Sequence, residues 1–323
     1  MEMASAGPES LSTLLSRDYR RHAPAPIVVG VARSGTTLLR LMLDSHSDLA
    51  VTHEAGFIPS VANLINPFSR MFYMRMKNSS WRFLDRGGLR KDLFRTITEF
   101  GNWEDLQLSR SAFEQALMEV EPFSLAEGMR AFFRLYARRF HKSRWGDKTP
   151  FYVRHLRSIE SALPEAHFIH IIRDGRDVAL SGKGLPFVPN NDNIEAMAAN
   201  WADAIVTARK QSRHCRHYIE VRYEDLILNT SSELQKICAF INLGYEPQME
   251  HYYEDARQRM SDLGPGNNHG FGSKESRLEL HRLLFESPEP ARIGRWKREM
   301  SRADLGAFNH VAGPLLAELN YET

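Results

Sequence analysis

Ile27-Val28-Val29-Gly30-Val31-Ala32-Arg33-Ser34-Gly35-Thr36-Thr37 passes from an apolar run through a glycine turn into the start of a helix. The run Ile27 to Val31 is short, continuously apolar and mostly β-branched, which suits a strand buried on both faces of a parallel sheet. After the turn, Thr36 to Asp44 carries Leu38, Leu39, Leu41, Met42 and Leu43, a helix apolar on most sides. A tight turn from buried strand to helix aims backbone N–H groups and the positive end of the helix dipole at an anion. Gly30, Gly35 and Thr37 keep the spacing of the phosphate-cradling pattern G-x-x-x-x-G-K-[ST], but Thr36 stands where the lysine belongs. Nucleotide hydrolases place that lysine on the β- and γ-phosphates. Here the cation in the loop is Arg33, so the loop suits a shorter anion chain.

Outward from this point the chain alternates. Asp48 to Thr52 reads as a second strand, ending at His53-Glu54. Residues 57 to about 143 read as helices and loops, among them Arg110 to Val120 and an amphipathic Ala126 to Phe140 whose Met129, Phe132, Phe133 and Tyr136 suit core packing. The basic run Arg134 to Arg144 reads as one solvated helix face. Val153 to Leu163 is expected to be helical and His167 to Ile172 a strand; Arg173-Asp174-Gly175-Arg176 turns, and Asp177 to Lys183 opens a helix. Tyr218 to Tyr223 reads as a strand, Ser231 to Ile241 as a helix capped by Thr230 or Ser231, and Ser301 to Leu319 as the closing helix. Residues 1–24 read as a flexible lead-in ended by Pro24 and Pro26, and Leu263 to Ser276 as a mobile loop. The expectation is α/β: a P-loop NTPase-like three-layer fold with a central parallel sheet of about five strands. One domain spans 25–323, with 57–143 as a helical insertion.

Composition narrows the function. Of 323 residues, 42% are hydrophobic and 25% charged, an ordinary globular balance that excludes collagen, coiled-coil rods and disorder. A formal charge of +2 gives no broad drive toward nucleic acid or an anionic membrane, so an anion site must be local. Cys215 and Cys238 offer neither a disulfide framework nor a metal spacing. His167, His170 and His214-Cys215-Arg216-His217 lack the partners of a zinc site, so no metal is expected. The polar start lacks a signal-peptide core and no run of apolar residues is long enough to span a bilayer. A cytoplasmic chain is the expectation; the sequence leaves its oligomeric state open.

Arg33-Ser34-Gly35-Thr36-Thr37 resembles the 5′-phosphosulfate loop of the sulfotransferases that use 3′-phosphoadenosine 5′-phosphosulfate (PAPS). Arg173-Asp174-Gly175-Arg176-Asp177-Val178-Ala179-Leu180-Ser181 resembles their 3′-phosphate motif, with the arginine and the serine eight residues apart. Tyr223-Glu224-Asp225-Leu226 is similar to the segment whose tyrosine contacts the nucleotide, and Asp147-Lys148-Thr149-Pro150 to the one supplying a lysine near the bridging oxygen of the transferred group. Arg292-Ile293-Gly294-Arg295-Trp296-Lys297 resembles the late G-x-W-K signature over the 3′-phosphate. The Arg-Lys-Gly triplet expected before it is replaced by Glu289-Pro290-Ala291, so Arg292, Arg295 or Lys297 has to compensate. The resemblance implies a nucleotide site of Arg33, Ser34, Gly35, Thr36, Thr37, Arg173, Ser181, Tyr223, Arg292, Gly294 and Lys297.

It also implies a reaction: a sulfuryl group moves from PAPS to an acceptor hydroxyl, leaving 3′,5′-ADP, without a metal. Arg33 and Lys148 would stabilise the developing charge. A base must take the acceptor's proton. Cytosolic members use a histidine after the Lys-Thr pair, where this chain has Pro150; tyrosylprotein-type members use a glutamate after the second strand, which Glu54 matches, with His53 as the alternative. The acceptor expected is a small metabolite, carbohydrate or lipid hydroxyl before a protein tyrosine. A P-loop kinase and a non-catalytic PAPS-binding protein are the competing readings.

Overall fold

The computed structural model describes residues 22–65, 86–100, 103–261, 263 and 273–322. Five parallel strands form a sheet in the order β2-β3-β1-β4-β5. They are β1 (Ala25–Gly30), β2 (Leu49–His53), β3 (Arg144–Lys148), β4 (Ala166–Ile172) and β5 (Tyr218–Arg222). The strand at the centre, β1, is buried along its whole length, as its β-branched run requires. Pro26 fits there because Ala25 N–H bonds toward the β4 side, to Glu165 O at 3.0 Å, which turns the position lacking an N–H toward β3. Pairing with β3 starts only at Ile27, so no ladder bond is lost.

Helix α1 (Thr36–Asp44) joins β1 to β2. The crossover from β2 to β3 is long and helical, with α2 (Ile58–Ile65), α3 (Arg86–Thr98), α4 (Arg110–Met118) and α5 (Leu125–Arg138). Next come α6 (Leu156–Ala162) before β4, and α7 (Gly175–Gly182) and α8 (Ile194–Ser212) before β5. After β5 follow α9 (Tyr223–Leu228), α10 (Thr230–Phe240), α11 (Tyr253–Met260), α12 (Lys274–Leu280), α13 (Trp296–Glu299) and α14 (Arg302–Glu318). The β2–β3 crossover packs its aromatics (Phe57, Phe113, Phe132, Phe133) with one face of the sheet; α1, α10 and α11 cover the other. A third cluster joins α7, α8 and α14 around Trp201 and Phe308. Because β1 leads toward β2 and β4 leads toward β5, a crevice opens outside the carboxyl ends of β1 and β4, where open α/β sheets hold ligands. No helix among the described residues is long and apolar enough to cross a membrane.

The structure departs from expectation in four places. Arg134 to Arg144 is not one solvated helix face: α5 stops at Arg138, and Arg144 opens β3 with its guanidinium donating to Pro24 O, Ile241 O and Asn242 O. Tyr223 is the first residue of α9 and not the last of β5. Neither Thr230 nor Ser231 caps α10; the N-cap is Asn229, without a side-chain bond, and Thr230 Oγ1 donates back to Leu226 O at 2.8 Å. Of the expected mobile loop, Ser273 caps α12 and Lys274 to Ser276 are helical, while 264–272, like most of the lead-in, lie outside the described residues.

Candidate active site

The turn after β1 is tight. Ser34 N–H donates to Val31 O at 3.1 Å, and Arg33 and Gly35 take left-handed backbones, φ 75° and 98°. Gly35 has a second reason to be glycine: a Cβ there would lie 2.5 Å from the Tyr223 ring. Gly35 is also the N-cap of α1 and offers no side-chain oxygen, so the first amides of that helix stay available to a ligand.

Arg33 Nε donates to Ser181 Oγ at 3.1 Å, which joins the two motifs across 148 residues. Thr36, Thr37, Arg173 and Tyr223 line the same cavity of about 140 Å³. The Arg173 guanidinium lies over the Tyr223 ring, 4.4 Å from its centre, and its Nη2 donates to Arg292 O at 3.2 Å. Its Nε is buried with no hydrogen-bond partner. Burial, together with repulsion from Arg173 and Arg292, lowers the Arg33 guanidinium to about 10. Three cations held this closely are unfavourable until an anion joins them.

The late basic segment is pinned by Asp177. This buried carboxylate accepts from Gly294 N at 2.8 Å and from Trp296 N at 2.9 Å, and lies 3.5 Å from Arg173. Gly294 turns there with φ 69°. Arg292 and Arg295 consequently line the cavity. Lys297 does not join them; its ammonium pairs with Glu322 on the surface.

A different chemistry gathers at the ends of β2 and β3. Register places His53 beside Lys148. Lys148 is 0% exposed, and its Nζ donates to Glu54 Oε1 at 2.6 Å; the Glu54 side chain stays 25% exposed. Burial pulls the Lys148 ammonium below its usual value, while Glu54 opposes that shift. His53 is buried, and neither ring nitrogen finds a partner. Burial, with Lys148, Arg277 and Arg40 nearby, keeps the His53 ring far below the usual imidazole range and neutral.

The sequence reading missed His281. Its ring meets His53 edge-on with centroids 6.4 Å apart, and it lines the cavity. Burial, with the charges of Arg33 and Lys148, pulls its ring well below the usual imidazole range. Arg277, one turn earlier, fixes this strap through a buried two-bond ion pair with Asp105, at 2.8 and 2.6 Å. No motif marks Arg277 or His281, and only their contacts bring them in.

Among the described residues no group of three or more His, Cys, Asp or Glu side chains is placed to hold a metal ion. A cavity of about 250 Å³ between Arg134, Arg138, Arg144 and Trp145 contains none of the candidate site residues.

The profile of the sulfotransferase family matches residues 24–247. Protein-tyrosine sulfotransferase A of Caenorhabditis elegans is 25% identical over 75% of this chain, which spans 56% of that protein's length. A putative protein-tyrosine sulfotransferase of Caenorhabditis briggsae is 27% identical over 92% of the chain and 88% of its own. The sulfotransferase domain of the Synechococcus PCC 7002 olefin synthase has the same fold, with a TM-score of 0.57 and 22% identity over 93% of this chain and 95% of that one.

Proposed function

We propose, because the chain belongs to the sulfotransferase family, that it moves a sulfuryl group from PAPS to an acceptor hydroxyl and releases 3′,5′-ADP. The observation that carries this reading is the Arg33–Ser181 hydrogen bond inside a basin of three arginines. It joins the two anion motifs at one crevice, as a nucleotide with phosphates at both its 3′ and 5′ positions requires.

In this reading Arg173, Ser181 and Arg292 hold the 3′-phosphate, and Tyr223 packs against the nucleotide. Arg33 and the first amides of α1 hold the phosphosulfate. As the acceptor oxygen bonds to sulfur, the bond from sulfur to the bridging oxygen breaks. Lys148 shifts from Glu54 to that oxygen, and Glu54, the more exposed partner, takes the acceptor's proton. His53, enclosed and neutral, supports this corner and does not contact the acceptor. A second reading has its own observation: His281 lines the cavity with Arg33 and meets the His53 ring edge-on, so it is the other candidate base.

Two acceptor classes follow from different supports. The relatives named above point to tyrosine phenols. The sequence reading favours metabolite, carbohydrate or lipid hydroxyls. Labelled PAPS offered to tyrosine peptides and to a metabolite extract separates them by which species gains sulfate. In the same preparation 3′,5′-ADP at a hundred times its Kd should stabilise the fold by about 2.7 kcal/mol without added metal. A stabilisation by ATP with Mg²⁺ and none by 3′,5′-ADP would favour the kinase; 3′,5′-ADP binding with no transfer to any hydroxyl would favour the binding protein.

A further inference from the structure

We infer that Asp147 is a positioning residue for sulfuryl transfer: its enclosed carboxylate holds the corner after β2 in the backbone shape that delivers Glu54 to Lys148. The inference rests on the roles read above for those two residues.

Asp147 lies in β3, directly before Lys148, and is 0% exposed. A carboxylate in such a place persists only if its lone pairs are used. Oδ1 accepts from the Thr52 hydroxyl and from Ala55 N at 3.1 Å; Oδ2 accepts from Thr149 Oγ1 at 2.8 Å. Thr149 Oγ1 in turn accepts from Gly56 N at 3.3 Å. One carboxylate oxygen therefore grips the chain on both sides of Glu54.

The grip explains an unusual backbone. Glu54 has φ 49°, a left-handed conformation that costs a residue with a side chain and persists where its surroundings impose it. Glu54 N–H still follows the sheet, donating to Lys148 O at 2.8 Å. At Ala55 the chain leaves the ladder because its N–H turns to Asp147. The turn swings the Glu54 side chain onto Lys148 Nζ. Burial pushes the Asp147 carboxyl above its usual value, and its three donors and the Lys148 charge offset part of that rise.

All three partners are donors, so an acceptor-only group fits best. In Asp147→Asn the Thr149 hydroxyl can rotate and accept, which keeps most of the corner. Asp147→Ala leaves the three donors without their acceptor. Thr52→Val removes one donor at nearly constant shape.

The test measures kcat, the affinity for 3′,5′-ADP, the pH profile of kcat, and amide exchange at Ala55 and Gly56. Expected losses in kcat are about tenfold for Asp147→Asn and Thr52→Val and about a hundredfold for Asp147→Ala, with 3′,5′-ADP affinity unchanged. Exchange at Ala55 and Gly56 should speed up. The pH profile of kcat should change, because the proton acceptor loses its fixed contact with the Lys148 ammonium. Equal losses in kcat and nucleotide affinity, or variants with unchanged exchange and unchanged kcat, would overturn the inference. Should Asp147→Ala fail to fold, Asp147→Asn and Thr52→Val carry the test. If the wild type transfers no sulfuryl group, the functional reading falls, while exchange at Ala55 still decides whether Asp147 holds the corner.

Discussion

At the ends of β1 and β4, Arg33, Arg173 and Arg292 crowd together with Asp177 as the carboxylate in contact. At the ends of β2 and β3, by contrast, Lys148 already carries its counter-charge in Glu54. The first region has an excess of positive charge around its cavity that an incoming anion would relieve. In the second, Lys148 and Glu54 neutralise each other, and Lys148 can exchange that partner for another. The function proposed above assigns binding to the first and proton movement to the second, so substitutions in the two should part affinity from turnover.

The sharpest way to break this contrast is Glu54→Gln. Loss of a general base should lower kcat by about 10²–10⁴-fold. Affinity for 3′,5′-ADP should hold, because Glu54 pairs with Lys148 at the ends of β2 and β3, away from the Arg33–Ser181 contact. His53→Ala and His281→Ala serve as controls. If either histidine variant lost turnover while Glu54→Gln kept it, the base would have to be reassigned.

Arg173→Ala should act the opposite way. Its guanidinium is pre-set over Tyr223 with an unused Nε. Losing it should weaken PAPS by about 1.5–3 kcal/mol, the worth of a hydrogen bond to a charged group, seen as a higher KM. A fall in kcat with KM unchanged would put Arg173 in the transfer half and erase the contrast.

A smaller effect is expected one step back from the ligand. Asp177→Asn keeps one oxygen acceptor but presents an amide to the second N–H of the 294–296 turn. The strap carrying Arg292 should loosen, costing about 1 kcal/mol in 3′,5′-ADP affinity with kcat preserved. Titration calorimetry would decide it, and unchanged affinity would show that the strap closes without this anchor.

The two regions also differ in how far the sequence discloses them. The loop after β1 follows an apolar β-branched run and the turn after β4 an isoleucine-rich run holding two histidines, so the apolar pattern places them at strand ends and the motif spacing supplies the chemistry. β3 has no such pattern: Arg144-Trp145-Gly146-Asp147-Lys148 holds three ionisable groups and a glycine. It is a strand because each charge finds a partner in the fold. Arg144 takes three carbonyls, Asp147 three donors and Lys148 takes Glu54. Local propensity yields there to tertiary contacts. Helix α8 is a different omission, for Met197, Trp201, Ala204, Ile205 and Ala208 are buried at helical spacing and the signal lay in the sequence. Arg277 and His281 belong to the first kind, since their roles exist only through Asp105 and His53.

The last expected effect is small and tests the charge excess itself. Burial and the neighbouring arginines lower the Arg33 guanidinium to about 10, below its ordinary value, so the native state holds that proton less tightly than the unfolded chain does. Below about 10 the charged side chain is thus a constant burden on stability, relieved only as pH rises through about 10 toward the ordinary guanidinium value. Arg33→Gln removes the burden at neutral pH while keeping a polar group near Ser181. The unliganded protein should then melt about 2 °C higher, as a gain of about 1 kcal/mol implies for a chain of this size. The same substitution should shrink the rise in Tm caused by 3′,5′-ADP, because the anion loses one of the cations waiting for it. Differential scanning calorimetry with and without 3′,5′-ADP reads both changes. A lower Tm for unliganded Arg33→Gln would mean that the Ser181 bond outweighs the repulsion, and that the basin is not strained toward an anion.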